Sequence, residues 1–168
     1  MRLACIGVLL ACAVSACDAV HTPTLAPASA EAAVATPDLR PHVGAAYAEF
    51  AAAPEMHRYT LEQLGLSADE QSRFHIDGSA LRPGAMINGG GAEALVFGGC
   101  AASGCADGVA VLAVDSVTGD AFVAVRDANG LEVLAPNDRL EALLRLNSPQ
   151  RRWDDPDGWS EQTASAGP

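Results

Sequence analysis

Lysine is absent from the sequence: all ten Lys and Arg positions are arginine, a compositional habit of GC-rich genomes rather than a mechanism. The Gly89-Gly90-Gly91 run therefore lacks the Lys-Ser/Thr pair that would make it a phosphate-cradling loop. Positive charge is scarce overall. Ten arginines face 21 Asp and Glu, giving a net charge of −11, which repels nucleic acid and anionic head groups and favours a basic partner. Catalytic arrangements are missing too. Gly98-Gly99-Cys100 and Ala102-Ser103-Gly104 do not form a G-x-S-x-G elbow, and no pair of carboxylates flanking one cleft is legible. His42, His57 and His75 are scattered without the paired spacing of a zinc site, and His57 and His75 read as surface or core residues rather than bases. In the tail WDDPDG, Asp154, Asp155 and Asp157 lack the full D-x-D-x-D-G series and closing Glu of a calcium loop, so a solvated turn is expected there. No catalytic residue, metal or cofactor is expected.

A long apolar run is also lacking. Leu3 to Val14, after a charged start at Arg2, is too short for a permanent bilayer span of about 20 residues and reads as a secretory signal that is removed. Val14-Ser15-Ala16-Cys17 resembles the lipobox of bacterial lipoproteins: an aliphatic residue, two small ones, then the Cys that receives the diacylglycerol. Two rival sites are weaker. Leu9-Leu10-Ala11-Cys12 puts a bulky Leu where a small residue is preferred, and ordinary signal-peptidase cleavage would leave Cys17 a free thiol in an oxidising space. The expectation is a signal over 1–16 and lipidation at Cys17, with several acyl chains giving stable membrane anchoring at about 0.8 kcal/mol per buried CH2. That makes the chain a periplasmic lipoprotein of the cell envelope. Asp18 resembles the residue that in some enteric bacteria retains lipoproteins in the inner membrane, and the outer membrane is the other destination.

Residues 17–41 are Ala/Pro/Thr/Ser-rich without an aromatic and are expected to form a disordered tether, with a reach of roughly 25 to 30 Å. The folded domain is expected over 42–147. Tyr47, Phe50 and Ala51 lie at helical spacing up to Pro54, Tyr59 to Leu66 reads as a second short helix capped by Thr60, and Arg73 to Asp77 reads as a first strand. Pro83-Gly84 and the triple glycine mark irregular chain. Then come short Val-rich strands at Glu93–Gly98, Gly108–Val117, Ala121–Arg126 and Leu131–Leu134, the last two joined by an Asn129-Gly130 turn. VAVLAVDS is apolar on both faces, which places it in the centre of a sheet covered on both sides. Leu140, Leu143, Leu144 and Leu146 form an amphipathic helix capped by Asn137 or Asp138. The fold class is α+β, an antiparallel meander with helices packed on it. The polar tail 148–168 is expected to be partly disordered, with Trp153 or Trp159 available to dock.

Of five cysteines, only Cys100 and Cys105 fall in the folded part, and an oxidising compartment predicts a disulfide between them. Zinc would need further ligands, and a redox dithiol prefers C-x-x-C at a helix N-terminus. A loop of about six residues gains only about 2 kcal/mol from the cross-link. A plain structural bridge and a stiffened binding loop both fit.

From Ala94 to Leu144 the order of parts is an apolar strand, Cys-x4-Cys, Ala106-Asp107 leading into a second strand, a Thr118-Gly119 turn, a further strand and a Leu-rich helix. This order resembles the inhibitor of vertebrate lysozyme (Ivy) family. The resemblance implies a secreted α+β domain whose inter-cysteine loop plugs the cleft of a lysozyme-like muramidase, with a loop histidine on the catalytic carboxylates. Here the corresponding loop is Ala101, Ala102, Ser103 and Gly104, without histidine. Such a loop forgoes a charge-assisted hydrogen bond of about 1.5 to 3 kcal/mol, a tenfold to hundredfold weakening. The resemblance thus implies a lipid-anchored inhibitor, with a host lysozyme or another muramidase as its target. The alternative expectation is a non-inhibitory envelope lipoprotein with a structural or protein-binding role.

Overall fold

The structure is a computed structural model that describes residues 36–155. The expected signal, Cys17, most of the expected tether, Asp157 and Trp159 lie outside the described residues. Within them the fold is α+β. Three α-helices, α1 (Tyr47–Ala52), α2 (Ala68–Asp77) and α3 (Asp138–Asn147), accompany six strands: β1 (Ala80–Leu81), β2 (Ala85–Gly89), β3 (Ala92–Ala101), β4 (Gly104–Asp115), β5 (Ala121–Asp127) and β6 (Gly130–Ala135). All pairings are antiparallel. The sheet runs β1-β3-β4-β5-β6, with β2 also on the outer edge of β3, beside its first half.

Strand β4 lies at the centre because its sequence leaves it nowhere else to go. Val109 through Val114 are each fully buried, and their alternating side chains feed two separate cores. On one face Leu95, Phe97, Ala110, Leu112, Val114, Val123 and Val125 pack under Phe50, Met56, Tyr59, Leu66 and Phe74 from the N-terminal half. On the other, Ala94, Val96, Val111, Ala113, Phe122 and Ala124 pack under Leu140, Leu143 and Leu144 of α3 and under Trp153. Each fully buried Leu or Phe contributes about 1.5 to 3 kcal/mol, so both layers are needed to hold the sheet. Leu39, inside the expected tether, is 1% exposed and belongs to the first core.

Helix α3 begins at Asn137, whose side chain accepts from the Leu140 N–H at 3.1 Å. The N-terminal half departs from expectation in three places. Arg73–Asp77 is the second half of α2, not a strand. The helix is started by Ser67 and Glu70, a capping box in which Glu70 Oε2 accepts from the Ser67 N–H at 2.7 Å and Ser67 Oγ from the Glu70 N–H at 3.4 Å. Of its final residues Phe74 enters the core while His75 and Ile76 face solvent. Tyr59–Leu66 is not a helix either. A 3-10 segment spans Pro54–Tyr59, and Thr60 then caps a single turn, accepting from the Gln63 N–H, before Gly65 at φ +86 redirects the chain. The stretch between Pro83 and Gly91, expected to be irregular, contains β2. Gly90 and Gly91, at φ +57 and +79, form the two-residue turn of the β2–β3 hairpin, the φ pattern of a type I′ turn.

Candidate functional site

The second half of the sheet holds the cysteines. β3 and β4 are longer than expected and extend toward each other, so the Cys-x4-Cys segment is a tight hairpin end and not an open loop. Ala101 pairs with Gly104, leaving Ala102 and Ser103 as the turn, and Cys100 and Cys105 form a disulfide with Cα atoms 4.6 Å apart. The four residues first expected to form a target loop divide accordingly. Ala101 is buried at 8% exposure, Gly104 is half-buried at φ +124, and Ala102 and Ser103 alone project.

The register then shifts. Cys100 pairs with Val109, directly after Ala101 has paired with Gly104, so Cys105, Ala106, Asp107 and Gly108 bulge from β4 with no partner on β3. Cys105, Ala106 and Asp107 are exposed beside the tip. Gly108 closes the bulge where only glycine fits: a Cβ there would lie 2.6 Å from Asp77 Oδ1. The surface at this end of the sheet is thus a cross-linked turn flanked by a four-residue bulge, built from small side chains and one carboxylate, Asp107.

Beneath it, a single charge stands in an otherwise uncharged row. Ala80, Cys100, Val109, Arg126 and Leu131 are successive partners across the sheet. Arg126 reaches back from β5 to the bulge, donating from Nη2 to the Cys105 carbonyl at 2.5 Å and from Nη1 to the Ala106 carbonyl at 3.4 Å. Its Nε faces Asp154 Oδ2 at 2.7 Å, an ion pair by distance and charge that lacks the alignment of a hydrogen bond. Asp154, which is 7% exposed, also pairs with Arg152. Burial opposes ionisation of Asp154, but the hydrogen bond and charge of Arg152 and the charge of Arg126 prevail and hold its carboxyl below the usual range. Asp154 therefore belongs to a buried ion-pair cluster and not to the solvated turn its sequence suggested. Asp155 is likewise engaged, accepting from Ser148 Oγ at 2.9 Å.

Asp77, at the end of α2, is 5% exposed, and its Oδ2 has no hydrogen-bond partner among the described residues. Burial pushes its carboxyl up, the charge of Asp127 adds to this, and Arg73 and Arg126 partly offset it. Arg73 is committed to Asp127 at 2.9 Å and to Glu132.

At the opposite end of the sheet, a groove of about 140 Å³ opens between α3 and the β2–β3 turn, lined by Gly89, Gly90, Ala92, Ala142, Leu143, Leu146 and Arg139. Its one charged group is occupied, with Arg139 donating to the Gly91 carbonyl at 2.8 Å and pairing with Asp115 at 3.4 Å. Among the described residues no group of three or more His, Cys, Asp or Glu is arranged to hold a metal ion. His57 and His75 are exposed and lie on different elements, and His42 edges the Phe50 ring at 5.2 Å.

Arg126 and Asp77 carried no functional signal in the sequence, and Asp154 read only as part of a solvated turn. Arg126 closes a Val-rich strand and is 28 positions from its acidic partner, and only the docking of Trp153 would have brought Asp154 inward. Comparison with protein-family models, curated proteins and solved structures finds no match for this chain.

Proposed function

We propose that this chain is an envelope lipoprotein, anchored through Cys17, that binds a lysozyme-like peptidoglycan-cleaving enzyme and blocks its cleft with the Cys100–Cys105 hairpin. The observation that carries the reading is the form of that hairpin: an exposed two-residue turn of small side chains, closed by a disulfide at its base. A pre-stiffened projection enters a cleft without the ordering cost a free loop would incur. The tip has no cationic group for catalytic carboxylates, only the Ser103 hydroxyl, so it acts mainly by filling space. The net charge of −11, with Asp107 exposed beside the tip, favours a cationic muramidase through steering. The role is binding and not catalysis.

The same neutral tip favours a second reading, a non-inhibitory envelope lipoprotein with a structural or protein-binding role. Cell-wall lysis by a panel of c-type and other muramidases separates the two. The inhibitory reading expects at least one enzyme to be slowed at micromolar concentrations of the mature protein; if none is slowed, it fails and the second remains. Ser103→His is expected to strengthen binding to a c-type lysozyme by restoring a charge-assisted contact, and reduction of the disulfide to weaken binding to any target.

A further inference from the structure

The hairpin has a second fastening besides its disulfide, and it comes from the other end of the chain. Three segments converge on one guanidinium: the bulge through the Cys105 and Ala106 carbonyls, β5 through Arg126 itself, and the C-terminal segment through Asp154. The bulge residues have lost their partners on β3, so Arg126 supplies acceptor satisfaction that the ladder no longer provides.

The segment carrying Asp154 is itself held in a defined shape. Trp153 is 3% exposed and meets the Phe122 ring edge-on at 6.1 Å, and Phe122 shares a face of β5 with Arg126. Ser148 Oγ accepts from the Gln150 and Arg152 N–H groups at 3.2 and 3.3 Å. Arg151 takes φ +56, the left-handed conformation that non-glycine residues adopt only when their surroundings impose it. Arg152 covers Asp154 from the solvent side, donating from Nε to Oδ1 at 2.8 Å.

We propose that residues 148–155 act as a strap: Arg126 and Asp154 are positioning residues that fix the Cys105–Gly108 bulge, and with it the angle at which the Ala102–Ser103 tip projects. The structural half of this inference stands on the contacts above; its consequence for a target rests on the reading of the hairpin as the binding surface. The disulfide ties down only the first residue of the bulge, Cys105, and the strap adds a hold on the Cys105 and Ala106 carbonyls. Asp154 is nearly buried and held ionised by two arginines, so the strap is engaged at neutral pH and is screened by salt less than an exposed pair.

The test uses the mature, oxidised protein and three variants, Arg126→Gln, Asp154→Asn and the double variant. Backbone order parameters for Cys105–Asp107 are expected near ~0.85 in the parent and to fall toward ~0.6 in each single variant. Reduction of Cys100–Cys105 by dithiothreitol is expected to quicken about tenfold, while amide exchange at Val111 and Ala113 stays unchanged. Because Asp154 acts on the bulge through Arg126, the double variant is expected to be no looser than Arg126→Gln alone, whereas independent structural contributions would add. Arg126→Lys keeps a charge for Asp154 but cannot also hold both carbonyls, so it is expected to recover little of the order. Unchanged order and reduction rate in Asp154→Asn would overturn the strap, and so would additivity in the double variant. If Arg126→Gln fails to fold, Asp154→Asn alone still decides. The two readings fail separately: a loosened bulge in a protein that slows no muramidase removes the binding role and keeps the strap, whereas a parent that inhibits and variants that inhibit equally with an unchanged bulge do the reverse.

Discussion

Asp77 and Asp154 are both carboxylates removed from water beside arginines, and their surroundings push them in opposite directions. Asp154 makes an ion pair with each of two guanidinium groups, and its carboxyl is held below its ordinary value. Asp77 has one oxygen without a partner and Asp127 nearby, and its carboxyl is pushed up. The consequences for stability have opposite signs. Asp154 binds fewer protons folded than unfolded, so its contribution is present above an ordinary carboxylate pKa of about 4 and is lost as pH falls through its lower folded value. Asp77 binds more protons folded than unfolded, so its ionisation costs stability at neutral pH, and the cost disappears as the pH falls from its raised folded value to about 4. Asp77→Asn is therefore expected to stabilise the protein at pH 7 by about 1 kcal/mol, the scale of one unsatisfied buried group. Urea unfolding at pH 7 and at pH 4 checks this: the gap between variant and parent should close at the lower pH. Asp115 differs again. It is 1% exposed, accepts from the Val117 and Thr118 N–H groups at 2.7 and 2.9 Å, and pairs with Arg139, so it shapes the β4–β5 turn from within. Asp115→Ala is expected to cost about 3 kcal/mol in the same measurement, and Asp115→Asn less, because the amide oxygen still accepts.

The elements that could be read from sequence are those whose side chains leave one arrangement open. β4 is apolar on both faces and could only be central, and α3 carries Leu140, Leu143 and Leu144 on one buried stripe behind a capping Asn137, while Leu146, expected to join them, is exposed. The misread elements are short ones. Arg73–Asp77 contains one apolar core residue, Phe74, and five residues cannot distinguish a period of 2 from one of 3.6; the helix start lay upstream, in Ser67 and Glu70. β2 was hidden by the residues that bracket it. Pro83-Gly84 and the triple glycine read as loop, yet the glycines are the turn chemistry of a hairpin. Gly90 and Gly91 have open space where a Cβ would stand but require positive φ, so backbone conformation alone limits replacement. Gly90→Asn is expected to be nearly neutral, since Asn tolerates this region, and Gly90→Val to cost about 1 to 2 kcal/mol, read from the urea midpoint. Gly99 is limited by space instead. A Cβ there would meet the Ala80 carbonyl oxygen and lie 2.6 Å from Leu81 Cα, backbone that cannot yield without parting β1 from β3. The cysteine hairpin was legible as a pair but not as a shape: the register shift between Cys100 and Ala101 has no local sequence mark, and Gly108 packs against Asp77, a residue of an element far away in sequence.

Among the described residues as a whole, one sheet separates two cores that share no side chain, and the cores differ in what they do. The first joins the N-terminal half to the sheet through an aromatic cluster in which Phe50 meets Phe97 at 4.9 Å and Tyr59 at 5.8 Å. The second is covered by α3 and Trp153, and Trp153 is also the root of the segment that reaches Arg126. Two substitutions in this second core distinguish packing from positioning. Leu144→Ala removes a fully buried side chain from α3 and is expected to cost about 2 to 5 kcal/mol; Trp153→Ala is expected to cost about 3 to 5 kcal/mol. Both lower the urea midpoint by similar amounts. Only Trp153→Ala unseats Asp154 from Arg126, so only there is dithiothreitol expected to reduce Cys100–Cys105 faster under conditions where the fold is still fully populated. Equal reduction rates in the two variants would mean that the C-terminal segment covers the second core without holding the hairpin. A faster rate in Trp153→Ala alone would mean that stability and hairpin geometry, though they share this core, are carried by different residues within it.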